Sequence, residues 1–189
     1  MALGYVRPAR ESDAEEIARI QSTTWRTAYD KIVPSQVLAG MDEAWLAEQW
    51  RQACVAPPSP AHRVFVAIEQ VESDASVKRV VGFAAVGPGE DDEAGAGAVT
   101  ELLVEPRFAR RGHGSRLLSA MVEQLREHDL TTVYAWVFPR DAAALNFYKS
   151  AGWAPEGTRR TLDMDGTEVP QLRLHVDLTE APGPVSEMS

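Results

Sequence analysis

Hydrophobic positions along the chain change their spacing several times, and each change predicts a new element. Apolar residues recur every three or four positions after Ser12, across 35–53 and after Gly112. This spacing places them on one face of a helix, so three amphipathic helical regions are predicted there. A shorter helix is expected over 141–151, with Gly152 at its C-terminal end.

Local signals mark where these helices begin and end. Ser12 and Glu15 stand three positions apart as in a capping box, which predicts the start of the first helix, and Pro34 closes that region. Gly40 is expected to interrupt the second region, and the apolar stripe of the third ends near His128. Glycine and proline therefore set several of the predicted boundaries, because both residues disfavour a continuing helix.

Short runs rich in β-branched and aromatic residues predict strands. They cover 5–9, 63–70, 79–87, 98–104, 132–138, 153–163 and 169–178. A polar segment joins the second run to the third, which predicts an antiparallel hairpin, and the last two runs flank a turn at Asp165–Gly166. This order of strands and helices predicts an α+β fold, a mixed α/β arrangement with helices on a mixed sheet.

One domain is expected over 1–178, because 189 residues suit a single hydrophobic core. The polar tail over 179–189 is expected to be disordered. The composition, with 44% hydrophobic and 25% charged residues, is typical of a globular protein.

Composition and charge also argue against several classes of protein. No apolar run approaches the ~20 residues that span a bilayer, and the first residues lack the apolar core of a secretory signal. Cys54 is the single cysteine, so no intrachain disulfide can form, and a cytoplasmic location is expected. A net charge of -9 without an extended basic face argues against nucleic-acid binding. The four histidines lack paired ligand spacing, so no metal site is expected.

Positive charge nevertheless concentrates at the start of the third helix. Around Gly112 and Gly114, directly after the strand at 98–104, stand four arginines, Arg107, Arg110, Arg111 and Arg116. The N–H groups and the dipole at a helix N-terminus favour an anion, and glycine lets a ligand approach the backbone. The stretch therefore predicts a binding site for a phosphate-bearing ligand.

Two common phosphate-binding motifs do not fit this stretch. The P-loop pattern G-x-x-x-x-G-K-[ST] is absent. A dinucleotide fingerprint would need a third glycine, where the chain has Leu117, and a carboxylate at the end of the strand at 132–138, which ends without one.

Two other motifs lie in this part of the chain, with one predicted strand between them. The pattern V-x-P-x-x-[RQ]-x-x-G-x-[GA] is matched by Val104, Pro106, Gly112 and Gly114. The pattern N-x-x-A-x-x-x-Y-x-x-x-G-[FW] is matched by Ala144, Tyr148, Gly152 and Trp153. Together they resemble the signatures of the GNAT superfamily of acetyl-CoA-dependent N-acetyltransferases. Ala109 and Asp141 depart from the family pattern, which has arginine or glutamine and asparagine at these positions.

The resemblance implies a GNAT-type fold, in which helices flank a central mixed, mostly antiparallel sheet. It also implies direct attack of an amine on the thioester of acetyl-CoA, with Tyr148 as the acid that protonates the departing thiolate. A Leu103 N–H is expected to serve the thioester oxygen. The residues expected to bind acetyl-CoA are Leu102, Leu103, Val104, Arg110, Arg111, Gly112, His113, Gly114, Ser115 and Asp141.

The base that deprotonates the amine has two candidates. Glu101 should face opposite to Leu102 and Val104 on its strand, so it is expected to point toward the acceptor, although a solvated strand carboxylate is the alternative. His175 in the last strand is the second candidate base.

Aromatic residues in the first third of the chain are candidates for acceptor binding. Trp25 and Tyr29 stand one helical turn apart, and Trp45 and Trp50 follow. These side chains either line an acceptor pocket or belong to the core.

Three functions remain open. The first is acetylation of a primary amine of a small molecule, and the acidic residues Asp42, Glu43 and Glu48 favour a small cationic one. The second is acetylation of a protein amino group, and the third is a non-catalytic acyl-CoA-binding or sensory module. The sequence leaves the oligomeric state open, a homodimer included.

Overall fold

The structure is a computed structural model that describes residues 4–71, 74–89 and 95–179. The strands are β1 (Gly4–Pro8), β2 (Arg63–Val71), β3 (Asp74–Pro88), β4 (Ala96–Val104), β5 (Thr132–Val137), β6 (Ala154–Met164) and β7 (Thr167–Asp177). The helices are α1 (Ala14–Ala28), α2 (Ser35–Ala39), α3 (Glu43–Val55), α4 (His113–Arg126) and α5 (Ala142–Ser150). Within the described ranges these strands form one sheet in the order β1-β2-β3-β4-β5-β7-β6.

The strands of this sheet pair antiparallel with one exception, the parallel pair β4–β5. A mixed, mostly antiparallel sheet flanked by helices is the predicted fold class, which the structure confirms. The turn between β6 and β7 is also confirmed, because Asp165 and Gly166 both have positive φ (55° and 78°), as a two-residue hairpin turn requires.

The parallel pair β4–β5 separates partway along its length. Cα partners run from Ala96 with Thr132 to Val99 with Ala135, and Thr100 forms an irregularity in the β3–β4 ladder. Beyond that point β4 keeps its partner β3, and its pairing with β5 has ended. The second half of β4 therefore presents a backbone edge to the space between the two strands.

The two faces of the sheet carry separate hydrophobic cores. Leu117, Met121 and Leu125 of α4 are fully buried against one face. Ile17 and Ile20 of α1 are fully buried against the other. The two cores fix α4 and α1 on opposite sides of β4.

The first helix begins differently from the prediction. Ser12 lies inside a 3-10 turn over Glu11–Asp13 that leads into α1. The carboxylate of Asp13 accepts hydrogen bonds from the Arg10 N–H at 2.7 Å and from Arg7. Asp13 competes for these donors better than Glu15 because it is shorter and its ion pair with Arg7 is largely buried.

Other local predictions have mixed outcomes. The helical region at 35–53 is interrupted at Gly40 as predicted, and Gly152 follows α5 with a φ of 87°. The polar segment between the second and third predicted strands belongs mostly to β2 and β3, which extend to Val71 and from Asp74. The predicted disordered tail lies outside the described residues except for Thr179. No helix in the described ranges is long and apolar enough to cross a membrane.

Candidate active site

A cleft of about 550 Å³ opens where β4 leaves β5. Its walls are the end of β4, the loop that precedes α4, the first turn of α4, and parts of α1 and α5. Of the residues expected at the cofactor, the ones that line it are Leu102, Leu103, Val104, Arg110, Gly112, His113, Gly114, Ser115, Asp141 and Tyr148. Tertiary structure therefore brings the two sequence motifs to one cavity, which we call the cofactor cleft.

The start of α4 presents backbone donors to the cofactor cleft. Gly112, the residue before the helix, has a φ of 81°, which is the left-handed conformation that glycine adopts without strain. The first N–H groups of a helix lack intrahelical acceptors, so those of His113, Gly114 and Ser115 are available to an anion. A Cβ on Gly114 would lie 3.1 Å from the Phe147 ring, so this glycine also lets α5 pack closely on α4.

Arg110 and Arg111 occupy different surroundings. Arg110 lines the cofactor cleft. Arg111 does not line it, because its Nη1 lies 2.8 Å from an oxygen of Glu69 and its guanidinium lies over the Phe108 ring. The two arginines therefore differ in position, since the ion pair with Glu69 places the Arg111 side chain beside β2, and cofactor contact by Arg111 stays a prediction.

The His113 side chain also serves the fold. It is 2% exposed, and its Nε2 lies 2.8 Å from the other oxygen of Glu69. A Cβ on Gly4 of β1 would meet this ring at 2.8 Å. His113 therefore anchors the start of α4 to the sheet, and what it presents to the cofactor cleft is backbone.

The register of β4 determines which N–H groups point into the cofactor cleft. The Glu105 N–H donates to the Val81 carbonyl of β3 at 2.9 Å. Because N–H groups alternate in direction along a strand, the Leu103 N–H also points toward β3. The N–H groups of Leu102 and Val104 point the other way, into the cleft. The Leu103 N–H therefore does not face the cleft, contrary to the expectation that it serves the thioester oxygen.

Asp141 begins α5. Its carboxylate accepts a hydrogen bond from the Ala144 N–H at 2.9 Å, which caps the helix. Aspartate and asparagine are equally good at this position, so the departure from the family pattern keeps the local structure. Asp141 also lines the cofactor cleft, beside Tyr148.

Tyr148 lies on α5 and is 6% exposed. Burial, reinforced by the negative charges of Glu101 and Asp141, raises its pKa. The hydroxyl therefore keeps its proton at neutral pH, as a proton donor must.

A second, smaller cavity of about 150 Å³ lies on the α1 side of the sheet, and we call it the acceptor pocket. Trp25, Tyr29 and Phe138 form a cluster of edge-on aromatic contacts, with ring centroids 5.0 to 6.3 Å apart. All three rings line this cavity, and Trp25 and Tyr29 also pack in a hydrophobic cluster; their role in acceptor binding stays a prediction. Tyr29 lines the cofactor cleft as well, and burial raises its pKa, with Glu101 and Asp141 adding to the shift.

Glu101 lines the acceptor pocket where it approaches the cofactor cleft. Leu102 and Val104 pack toward α4, whereas Glu101 is within 3.5 Å of the Gln21 side-chain amide on α1, so its predicted direction is confirmed. Burial raises the pKa of Glu101 to about 7, and the nearby Trp25 indole N–H offsets part of the rise without reaching hydrogen-bond geometry. A carboxyl group with this pKa can accept a proton near neutral pH.

Gln21 is a residue that sequence reasoning missed. The Trp50 indole N–H donates to its Oε1 at 2.7 Å, so the amide nitrogen is directed toward Glu101. Trp50 itself packs on Phe83 in the core, and Trp45 is 60% exposed, so neither tryptophan lines the acceptor pocket.

His175 is absent from the described residues that line either cavity. Its Nδ1 lies 3.4 Å from Glu156, on the outer part of the sheet. This position corrects the second choice of base. Among the described residues no group of three or more histidine, cysteine, aspartate or glutamate side chains could hold a metal ion.

The acceptor pocket has further walls that the sequence analysis did not single out. They are Tyr134, Trp136 and Phe138 from β5 and its end, and Arg160 and Gln171 from β6 and β7. One signal was available: counting outward from the Asp165–Gly166 turn pairs Arg160 with Gln171, as the structure shows. Their approach to β5 follows only from the sheet order.

Comparison with known proteins was made on both sequence and structure. The model of the acetyltransferase (GNAT) family matches residues 16–153. The N-acetyltransferase YuaI of Bacillus subtilis (strain 168), itself uncharacterized, is 26% identical over 170 residues, which are 89% of this chain and 87% of that protein.

Two solved structures share the fold. PaiA N-acetyltransferase from Thermoplasma acidophilum, in complex with coenzyme A, superposes with a TM-score of 0.70 at 16% identity, covering 93% of this chain and 99% of that one. YncA from Salmonella typhimurium, solved with its cofactor acetyl-CoA, gives a TM-score of 0.64 at 18% identity. The match covers 97% of this chain and 98% of that one.

Proposed function

This chain belongs to the acetyltransferase (GNAT) family, and we propose that it transfers the acetyl group of acetyl-CoA to a primary amine of a small molecule. Acetyltransferase chemistry with acetyl-CoA as the donor follows from the family. One observation carries the rest of the proposal: a cleft with backbone donors and Tyr148 adjoins a small aromatic pocket with Glu101, and Tyr29 lines both. We also propose that the protein acts in the cytoplasm, as its single cysteine suggests.

The cofactor cleft suits acetyl-CoA in two respects. The first turn of α4, with Arg110 beside it, offers N–H groups and a positive charge to the pyrophosphate. The open edge of β4 offers the Val104 N–H to the amide-bearing arm and leaves the Leu102 N–H for the thioester. Bound acetyl-CoA supplies an activated thioester, which the amine attacks directly to give an acetamide and a free thiol.

Three groups of the chain assist that attack. Glu101 takes the proton that the ammonium group must lose, directly or through water, because its raised pKa matches neutral pH. The Leu102 N–H, which is next to Glu101 and points into the cofactor cleft, donates to the carbonyl oxygen as it gains negative charge. Tyr148 donates its proton to the departing sulfur.

The size of the acceptor pocket supports a small molecule. A volume of about 150 Å³ holds a compact amine, and aromatic side chains close its sides. Pocket walls come from α1, β4, β5, β6 and β7, and this convergence of five elements on a small space suits a compact molecule better than an extended polypeptide.

Release of free thiol from acetyl-CoA tests the proposal directly. The purified protein is mixed with acetyl-CoA and, one at a time, with polyamines, aminoglycosides, amino acids and lysine peptides. Turnover with at least one small amine above that with every peptide is expected. Turnover with peptides alone would instead support a protein acceptor. Tight binding of acetyl-CoA in calorimetry without turnover on any amine would support a sensory module.

A further inference from the structure

One carboxylate on β2 holds the backbone that leads into α4. Glu69 is 8% exposed, and each of its oxygens contacts a different residue there, Arg111 Nη1 at 2.8 Å and His113 Nε2 at 2.8 Å. These two residues stand on either side of Gly112, the residue that precedes the helix. Arg111 balances the negative charge of Glu69, which leaves the contact with His113 as the more deeply buried of the two.

The His113 ring lies in a space formed by one cross-strand pair of the sheet. Gly4 of β1 and Glu69 of β2 are direct partners in the antiparallel ladder. A Cβ on Gly4 would lie 2.8 Å from the ring Cε1, so the ring fits there only because this residue is a glycine. We call the pair of Gly4 and Glu69 the histidine socket, because one residue leaves the space and the other provides the hydrogen-bond acceptor.

The ring depends on Glu69 for its polar contact. A carboxylate only accepts hydrogen bonds, so Nε2 of His113 carries the hydrogen and donates it. The other ring nitrogen, Nδ1, is buried and has no hydrogen-bond partner among the described residues. Loss of the Nε2 contact would leave a buried donor unsatisfied, which is unfavourable and keeps the ring in the histidine socket.

The backbone before α4 needs support of this kind. Arg110 has a φ of 62° and Gly112 has a φ of 81°, so two of three successive residues are left-handed. A residue with a Cβ rarely adopts this conformation, and such a backbone persists where its surroundings hold it. Glu69 holds the residues on both sides of Gly112 and thereby the direction in which the first N–H groups of α4 point.

We infer that Glu69 is a positioning residue for acetyl-CoA: through the His113 ring it keeps the first turn of α4 in the conformation that receives the pyrophosphate. The inference rests on the proposed function, which places the pyrophosphate at this turn. Glu69 is absent from the described residues that line the cofactor cleft, so its effect is indirect. Donors that are already arranged around an anion bind it more tightly, because the cost of ordering them has been met in the fold.

Calorimetry with acetyl-CoA tests the role of the ring. His113→Leu removes the contact with Glu69 and keeps the backbone N–H. A turn that holds the binding conformation for about a tenth of the time raises the apparent Kd about 10-fold, and we expect a loss of at least this size. His113→Gln places an N–H donor near the position of Nε2 and should recover most of the affinity. Gly4→Ala keeps the histidine but fills the socket, and should also weaken binding.

Donors of different length distinguish positioning from a general loss of structure. Acetyl-CoA, acetyl-dephospho-CoA, which keeps the pyrophosphate, and S-acetylpantetheine, which lacks it, are compared by thiol release. His113→Leu should lower kcat/KM for the first two donors alike and leave that for S-acetylpantetheine unchanged. The control is His128→Leu just beyond the other end of α4, where the ring lies 2.9 Å from the Gln124 carbonyl oxygen. This variant should leave all three values unchanged.

A double-mutant cycle tests whether Glu69 acts through His113. Glu69→Leu and His113→Leu together should weaken acetyl-CoA binding no more than Glu69→Leu alone, because both changes remove one contact. Additive losses would overturn the inference.

Two further results would overturn it. One is an unchanged Kd in both His113→Leu and Gly4→Ala when thermal unfolding shows that the two variants are folded. The other is an equal loss with S-acetylpantetheine, since the effect would then lie outside the pyrophosphate turn. Absence of turnover with every amine would instead remove the proposed function, and the Kd values for acetyl-CoA would still decide the role of Glu69.

Discussion

The cofactor cleft and the acceptor pocket meet at one point but are built in different ways. Most cofactor-cleft residues come from one stretch, 102–148, and offer backbone N–H groups at the edge of β4 and at the start of α4. The acceptor pocket draws on five elements, from Trp25 to Gln171, and its described lining offers side chains: aromatic rings, the Glu101 carboxylate and the Arg160 guanidinium.

This difference indicates how the two sites respond to substitution. Backbone donors persist when a side chain changes, which explains why Ala109 and Asp141 can depart from the family motif while the cofactor cleft keeps its form. The shape and charge of the acceptor pocket are more sensitive to substitution, because its walls are formed by individual side chains. Substitutions in the pocket should therefore change which amine is used, and substitutions in the cleft should change donor binding for every amine alike.

The largest expected effect comes from Tyr148 in the cofactor cleft. Tyr148→Phe removes the proposed donor to the departing sulfur, so kcat should fall by roughly 10²-fold or more, the scale of a general acid. The Kd for acetyl-CoA should change little. Tyr29→Phe is the comparison, since Tyr29 is a partly buried tyrosine near the same two carboxylates. Steady-state kinetics measures kcat, and calorimetry measures Kd, for both variants. Full activity in Tyr148→Phe would show that water or another group protonates the departing sulfur.

Glu101→Gln should lower kcat/KM for every amine by about 10²-fold, because the proposed base is lost. In the wild-type protein kcat/KM should rise with pH through about 7, where Glu101 ionises. That rise should vanish in Glu101→Gln, while the rise at higher pH that comes from deprotonation of the amine itself should remain. Profiles of kcat/KM from pH 5 to 9 measure both increases. If the increase near pH 7 is unchanged in Glu101→Gln, a group other than Glu101 causes it.

The same carboxyl group predicts a stability effect. Its pKa is about 7 in the folded protein and 4.5 in its unperturbed state, so the folded state binds the proton more tightly. The contribution of Glu101 to stability is therefore fully present below pH 4.5 and is lost as pH rises through about 7. Urea unfolding should show the wild-type protein losing stability relative to Glu101→Gln across that window. A constant difference between them would show that the group is not buried in solution.

A smaller effect should separate the two neighbouring arginines of the cofactor cleft. Arg110→Ala should weaken acetyl-CoA binding by about 10-fold, through one charge-assisted contact, and leave KM for the amine unchanged. Arg111→Ala should leave the Kd nearly unchanged and lower stability instead, because Arg111 pairs with Glu69. Calorimetry and thermal unfolding of both variants make the comparison. Equal loss of affinity in the two variants would mean that Arg111 leaves Glu69 when the donor binds.

The smallest expected effect concerns Asp141. Asp141→Ala removes the cap of α5 and should cost about 1 kcal/mol of unfolding free energy. Asp141→Asn keeps an accepting oxygen and should keep stability. Chemical denaturation of the two variants measures the difference. Loss of acetyl-CoA affinity in Asp141→Asn at unchanged stability would show that the negative charge, rather than the cap, is what the cofactor cleft uses.

Much of the fold could be predicted because its signals are local. Helical and strand spacing, the break at Gly40 and the turn at Asp165–Gly166 depend on neighbouring residues, and the structure confirms them. The start of α1 was predicted wrongly because Ser12 and Asp13 are both suitable capping residues. The choice between them depends on Arg7, whose position is determined by β1.

The sequence by itself also determined where the cofactor cleft would be, since glycines, arginines and the motif tyrosine lie within fifty residues of one another and the cleft offers mainly backbone donors. Only the tertiary structure decided the direction of each group: that Glu69 of β2 holds Arg111 and that the Leu103 N–H faces β3. It alone assembled the acceptor pocket. Trp25, Glu101 and Arg160 are far apart along the chain, and they meet because β7 inserts between β5 and β6, a pairing that depends on packing across the whole sheet.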